Sequence, residues 1–354
     1  MDLDSPRRGD CSDDLWSSDQ TKDFRGGTPG FALSSFASTA RYVARRAGWA
    51  VLTLGFILSV NFFLFRIMPG DPLALLARSQ RLSPEALAQQ RADFGLDQAL
   101  LPQYFTYVRE TLTGNLGVSL VSGVDVIDLV LSRMWPTILL VGVGTILAAG
   151  IGTWLGIRGG WSRGSSFDSS TLQTSLVLYS TPEGWLGMIL LLLFAGLLVW
   201  LPAGGFQDAG DGSFLDITEH LALPVLALAL GYVGQYLIVM RSSMIDVKAH
   251  PYITLARAKG LTDPVVRRRH AVPNAVLPTF TLVVISVGFV LGGAIVIETV
   301  FSWPGIGLLT YEAINTLDYP VLQGVFLVSS GAVIVAAFIA DVASGFLDPR
   351  VRTS

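Results

Sequence analysis

Six stretches of this chain run for about 18 residues or more with almost no charge: 47–67, 135–157, 169–201, 221–240, 275–297 and 321–345. Wound as helices, runs of that length cover about 30 Å of hydrocarbon. They are continuously apolar and do not alternate, which fits spanning helices and not the strands of a barrel. Charged residues make up 14% of the chain, against about a quarter in soluble domains. The expected fold is all-α: a polytopic membrane protein with six transmembrane helices.

The formal net charge of −3 says little; the distribution of charge decides orientation. With the amino terminus inside, 18 of the 24 Lys and Arg residues fall in cytoplasmic segments. Arg41, Arg45 and Arg46 precede the first run, and the stretch from Arg241 to Arg269 is the most basic in the chain. Loops 202–220 and 298–320 have no Lys or Arg. Basic residues stay on the cytoplasmic side, so both termini are expected there. Residues 1–40 mix Asp, Ser, Arg and Gly without hydrophobic period and read as a disordered cytosolic tail, with no cleavable signal peptide. The transmembrane domain is expected over 41–354. Cys11 is the single cysteine, which excludes an intrachain disulfide and a thiol-ligated metal site. No cofactor, metal or nucleic-acid partner is expected; membrane lipid is.

Residues 73–134 form the longest extracytoplasmic segment in this orientation. The first span is expected to stop at Met68-Pro69-Gly70-Asp71-Pro72. Ser83-Pro84-Glu85 reads as a helix start running through Phe94, with Tyr104 to Leu112 and Val124 to Leu131 as further short surface helices. The third apolar run is longer than a span needs, and an interfacial turn is expected around Ser180, Thr181 and Pro182. Gly152-x-x-x-Gly156 and Gly288-x-x-x-Gly292 put small faces on helices and allow close backbone contact. Asn61, Thr145 and Ser286 are among the few polar groups at membrane depth. Asp341 is read as the one acid well inside a span, near its inner end. No ladder of Asp, Glu and His supports a proton relay.

The loop 241–276 carries the mechanism. Asp246 to Gly260 can make a short helix with Pro251 in its first turn and Tyr252, Leu255 and Ala256 at i, i+3 and i+4. Gly260 stands where a helix-ending C′ residue belongs. The next helix is expected to begin with Asp263 as cap and Pro264 behind it, followed by Arg267, Arg268 and Arg269. Two short helices joined at a glycine make a rigid elbow leading into the fifth span. Ala256, Ala258 and Gly260 are small enough to admit another protein's surface.

These residues resemble the signature cytoplasmic loop of the permease subunits of binding-protein-dependent ABC importers. The register sets Thr254-Leu255-Ala256, Gly260 and, nine residues on, His270-Ala271-Val272-Pro273 against the family pattern of Glu-Ala-Ala, Gly and Ile-x-Leu-Pro. Thr254, Leu255, His270 and Val272 depart from it. They are similar to the dipeptide, oligopeptide and nickel branch, through Tyr252-Ile253, Ala256-Arg257-Ala258-Lys259-Gly260-Leu261 and Arg269-His270-Ala271 with Asn274 and Pro278. Met68-Pro69-Gly70-Asp71-Pro72, Glu298-Thr299-Val300-Phe301-Ser302-Trp303-Pro304-Gly305 and Asp318-Tyr319-Pro320 agree with the same branch.

The resemblance implies a type I importer permease fold, the first of two permeases. A second related permease, two cytosolic ATPases and an extracytoplasmic binding protein would complete the machine. One ATPase would dock on Lys248 through Leu261, with Lys248, Tyr252, Thr254, Ala256, Arg257, Ala258, Lys259, Gly260 and Leu261 as the coupling residues. Peptides are the expected cargo, although nickel, glutathione, haem and oligosaccharide carriers share such permeases. Glu298, Trp303, Pro304 and Gly305 are expected to line or cap the outer mouth. The chain has no phosphate loop of its own, so ATP hydrolysis must come from partners. Of its three histidines, His220, His250 and His270, none forms a metalloprotease motif, which argues against a membrane enzyme. A stand-alone carrier would explain six spans but not the basic elbow.

Overall fold

The computed structural model describes residues 30–67, 99–210, 212–290 and 294–347, with side chains described for 43–66, 99–210, 212–286 and 294–339. Regular structure among the described residues is helical; Val118 and Asp125 form an isolated β-bridge. Helix α1 (Gly30–Ile67) holds the first apolar run. It begins ahead of Arg41, so the tail expected over 1–40 lies outside the described residues only as far as residue 29. The stop at Met68 to Pro72 and the helix expected from Ser83 to Phe94 also lie outside them.

Helix α2 (Leu100–Leu112) contains the piece expected from Tyr104. The next expected surface helix, Val124 to Leu131, is instead the start of α3 (Val126–Trp161). Its apolar side meets protein: Val126 and Val130 are buried with Ile306, Leu309, Tyr319 and Leu322. Helices α4 (Ser166–Ser180) and α5 (Glu183–Leu190, prolonged by a π turn over Leu191–Leu197) meet at a 100° bend. Pro182 disfavours helical backbone at the residue before it, and Thr181 is extended (φ −82°, ψ 130°).

Helix α6 (Phe214–Lys248) is followed by α7 (Pro251–Ala258) and α8 (Asp263–Val266). A π turn over Arg267–Ala271 carries α8 into α9 (Val272–Val290). Arg267 (φ −57°, ψ −54°) and Val272 (φ −57°, ψ −45°) both stay helical at the joints, so Asp263 to Val290 is one continuous arm. Helices α10 (Ile295–Val300), α11 (Ile306–Thr316) and α12 (Tyr319–Leu347) complete the chain.

Four of these helices are long and apolar enough to cross a membrane: Val43–Arg66 of α1, α3, α6 and Tyr319–Ile339 of α12. The bent pair α4–α5 makes a fifth if it counts as one span. The fifth apolar run lies in α9, whose side chains are described only to residue 286.

The centre of the bundle is the pairing of α3 with α6, and glycine sets its distance. Added Cβ atoms at Gly152, Gly156 and Gly160 would lie 2.6, 2.8 and 2.8 Å from the carbonyl oxygens of Val233, Leu237 and Arg241. One residue in four along α3 is thus a glycine against α6 backbone, whereas Gly142 and Gly150, on another face, meet nothing within 4 Å. The Gly152-Gly156 motif therefore serves contact inside this chain; Gly288 and Gly292 lie outside the described side chains.

Two polar contacts at depth tie helices together. Asn61 donates to the Tyr107 hydroxyl (3.1 Å) and the Gln323 carbonyl (3.0 Å), tying α1 to α2 and α12. Tyr236 donates to Ser286 (2.9 Å). The side chain of Asp341 lies outside the described set. Asp208, Asp216 and His220 approach within 4.8 Å of one another, and Asp216 accepts the Asp208 N–H at 2.9 Å, so they fasten the loop ahead of α6.

Candidate functional site

The basic loop folds as an elbow whose joint is a glycine-ended helix. Pro251 occupies the first turn of α7, where its missing N–H leaves no bond unmade. At the other end Gly260 takes φ +81°, a conformation that costs residues with a Cβ roughly 1–2 kcal/mol. Its N–H donates to the Arg257 carbonyl (2.9 Å) and the Leu261 N–H to the Ala256 carbonyl (3.4 Å). This pair of reversed bonds is a Schellman closure, which satisfies the last carbonyls of a helix while turning the chain.

Thr262, not Asp263, is the N-cap of α8, because its backbone is extended (φ −69°, ψ 150°) and its carbonyl accepts the first bonds of the helix. Asp263 instead accepts from Arg257 Nε at 3.0 Å across the joint. That exposed pair adds little stability, about 0–1 kcal/mol, but it spans the elbow.

The faces of α7 differ from the expected ones. Ile253 is fully buried and Ala256 is 6% exposed. Both pack with Met240, Met244, Val266 and Ala271, the ends of α6 and the start of the long arm. Tyr252 and Leu255 are 39% and 57% exposed. Ala256 is thus small to fit this chain's own core. Lys248 also faces inward: its Nζ donates to the Trp161 carbonyl (2.6 Å) at the carboxyl end of α3, a favourable place for a cation. Lys248 and Arg257 both sit on the Trp161 ring, at 5.4 and 5.3 Å from its centre. The outward surface is Tyr252, Thr254, Leu255, Ala258, Lys259, Gly260 and Leu261. Among the described residues, nothing beyond its chain neighbours lies within 4 Å of a Cβ added at Gly260.

At the opposite end of the bundle, Glu298, Trp303, Pro304 and Gly305 form an internal brace. Glu298 and Trp303 are fully buried, Gly305 is buried and Pro304 half-buried. In this conformation their side chains face the inside of the subunit. The Glu298 carboxylate accepts from Thr137 Oγ1 (2.9 Å) and the Leu308 N–H (3.0 Å), placing negative charge at the amino end of α11. Burial pushes this carboxyl above its ordinary range, and those donors with Gly307 oppose the rise. Gly305 is required by the same packing, because a Cβ there would collide with the Glu298 carboxylate and Thr137. Trp303 Nε1 donates to the Pro136 carbonyl (2.9 Å). Trp303→Phe is expected to cost about 1 kcal/mol by removing that buried hydrogen bond. A lowered unfolding midpoint in detergent is the measurement; an unchanged midpoint would contradict the brace.

Comparison with known proteins was decisive for the family. Residues 125–353 match the model of the binding-protein-dependent transport system inner membrane component, and residues 39–140 match that of its N-terminal region. The chain belongs to this family. A di/tripeptide transport system permease protein DppB of Pseudomonas aeruginosa is 35% identical over 88% of this chain and 98% of its own length. The dipeptide transport system permease protein DppB of Escherichia coli is 34% identical over 88% of this chain and 98% of its own. An oligopeptide transport system permease protein AppB of Bacillus subtilis is 32% identical over 88% and 99%. The protein is thus a multi-pass inner-membrane permease component of a transport system that depends on a binding protein.

Two features of the permease escaped the sequence reading. Asp168 in α4 and Arg241 in α6 form a two-bond ion pair, Nε to Oδ1 at 2.6 Å and Nη2 to Oδ2 at 2.8 Å. Nothing in their spacing signals it. Glu183 is the second: an acid inside the third apolar run, at the start of α5. The break expected at an interface lies against the middle of α6: Gly234 meets Ser175 and Tyr179, and Gly231 meets Glu183. Its signal was its place in the centre of the 169–201 run.

Proposed function

We propose that this chain is the first permease subunit of an ATP-driven peptide importer, with six transmembrane helices and both termini in the cytoplasm. It pairs with a second related permease in the lipid bilayer. Two cytosolic ATPases power it, and an extracytoplasmic binding protein delivers cargo. Peptide as cargo is supported by the relatives named for dipeptide, tripeptide and oligopeptide transport. The ATPase docks on the outward surface of α7 and its turn, from Tyr252 to Leu261. The observation that carries the reading is the arm: the glycine joint at Gly260 leads into unbroken helix from Asp263 to Val290. A displacement of α7 by an ATPase passes along that arm into the fifth span, a rigid-body switch between two access states.

The test is recovery of partners. A tagged chain, expressed with its neighbouring transport genes and purified in mild detergent, is expected to bring down two ATPase subunits and a second permease. The chain alone is expected to hydrolyse no ATP. A chain that purifies alone and transports peptide by itself would overturn the reading.

A further inference from the structure

Glu183 lies where a carboxylate is hard to keep. It packs against Gly231, with 3.4 Å between its Cγ and a Cβ built there. Gly231 is near the centre of the apolar run 221–240, so about 15 Å of helix separates it from either end of that run. This depth does not depend on which end faces the cytosol. Glu183 is half-buried and remains open to the surroundings of the subunit. A carboxylate at the centre of a bilayer costs about 2.5–3.5 kcal/mol on insertion scales, so it belongs in a water-filled path or against a partner charge, not in lipid.

Its neighbours narrow the choice. Tyr232 adjoins Gly231 in the chain, and Tyr179 packs on Gly234, one turn farther along α6. Tyr232 is 36% exposed and Tyr179 49% exposed, so phenol rings and carboxylate open together. The carboxylate has several lone-pair sites to fill. Negative charge flanked by aromatic rings is the chemistry that holds an organic ammonium. The cluster sits at the 100° break between α4 and α5, where Pro182 leaves the helical ladder open. Broken helices at mid-membrane are where transporters place their cargo sites.

We propose that Glu183, with Tyr232 and Tyr179, lines the translocation path and holds the protonated amino group of the cargo as it passes. The assignment rests on the peptide-import reading, because a peptide brings a free ammonium group. Two measurements on the complete reconstituted transporter test it. In a Cys11→Ser background, Glu183→Cys is expected to react with a charged, membrane-impermeant thiosulfonate reagent. Addition of binding protein loaded with dipeptide is expected to slow that reaction. Glu183→Gln is expected to lower dipeptide uptake about tenfold or more, the scale of a lost charge-assisted hydrogen bond. Glu183→Asp, which keeps the charge, should recover part of the uptake.

Absence of labelling in every nucleotide state would overturn the proposal by putting the position in lipid or a subunit contact. Uptake by Glu183→Gln within twofold of the unaltered transporter would overturn it as an ammonium site. Loss of assembly in Glu183→Gln would also count against it, as the mark of a subunit brace. Failure of the unaltered transporter to accumulate dipeptide is a separate result, and it overturns the peptide reading itself.

Discussion

Gly260→Asp is expected to abolish transport while the chain still inserts and folds. The structure separates the two effects. Gly260 is exposed, and among the described residues no atom beyond its chain neighbours lies within 4 Å of an added Cβ. The cost to the chain is the left-handed backbone at φ +81°, roughly 1–2 kcal/mol for an ordinary residue and less for Asp or Asn, which visit that region more readily. A loss far beyond that cost must arise where another surface meets the joint. The new carboxylate would sit beside Lys259 and near Arg257, so it would also reverse part of the local charge. Gly260→Asn keeps the shape of Asp without its charge and is expected to keep more activity. The checks are peptide uptake, ATPase co-purification and the unfolding midpoint of each variant. Uptake at the normal level by Gly260→Asp would remove the docking role of the elbow. Loss of uptake matched by a collapsed midpoint would make the glycine a folding requirement only.

The long apolar helices and the joint were legible because each has a local cause. An apolar run of about 20 residues must be a helix in lipid whatever surrounds it. A glycine that closes an eight-residue helix, followed by Leu-Thr-Asp-Pro, carries its turn chemistry in five adjacent positions. Facing was not legible. In so short a helix as α7, Tyr252, Ile253, Leu255 and Ala256 are all apolar, and either stripe could have packed inward. The choice of Ile253 and Ala256 is made by Met244 and Val266, which come from other elements. Trp303 read as an exposed turn because its partner, the Pro136 carbonyl, is 167 positions away. Glu183 was overlooked for a similar reason. Its depth depends on the packing of α4 and α5 on α6, and a Thr-Pro break in an apolar run fits an interface equally well.

The buried ion pair provides the second large effect. Arg241→Ala is expected to destabilise the chain by about 3–5 kcal/mol, the scale for stranding one member of a buried pair. The Asp168 side chain is 3% exposed, and Arg241 gives it two of its hydrogen bonds. The Gly164 N–H supplies another at 2.9 Å, and the Ser165 hydroxyl caps the helix by accepting the Asp168 N–H at 3.2 Å. Without Arg241 the carboxylate must be protonated or drag its helix toward water. Either result loosens the start of α4, beside the α3–α6 contact made by Gly156 and Gly160. Arg241→Lys keeps the charge but not the two-pronged geometry, and is expected to recover only part of the loss. Asp168→Asn combined with Arg241→Gln removes both charges together, and should cost less than Arg241→Ala alone. Unfolding midpoints of the three variants and of the unaltered chain in detergent decide the matter. A double variant less stable than the single one would mean that the pair attracts far more than its desolvation costs. A single variant as stable as the unaltered chain would mean that Asp168 finds another donor. The pair also bears on mechanism, because it anchors α4 to α6 near the basic loop while the break at Thr181–Pro182 lies farther along the same bent element.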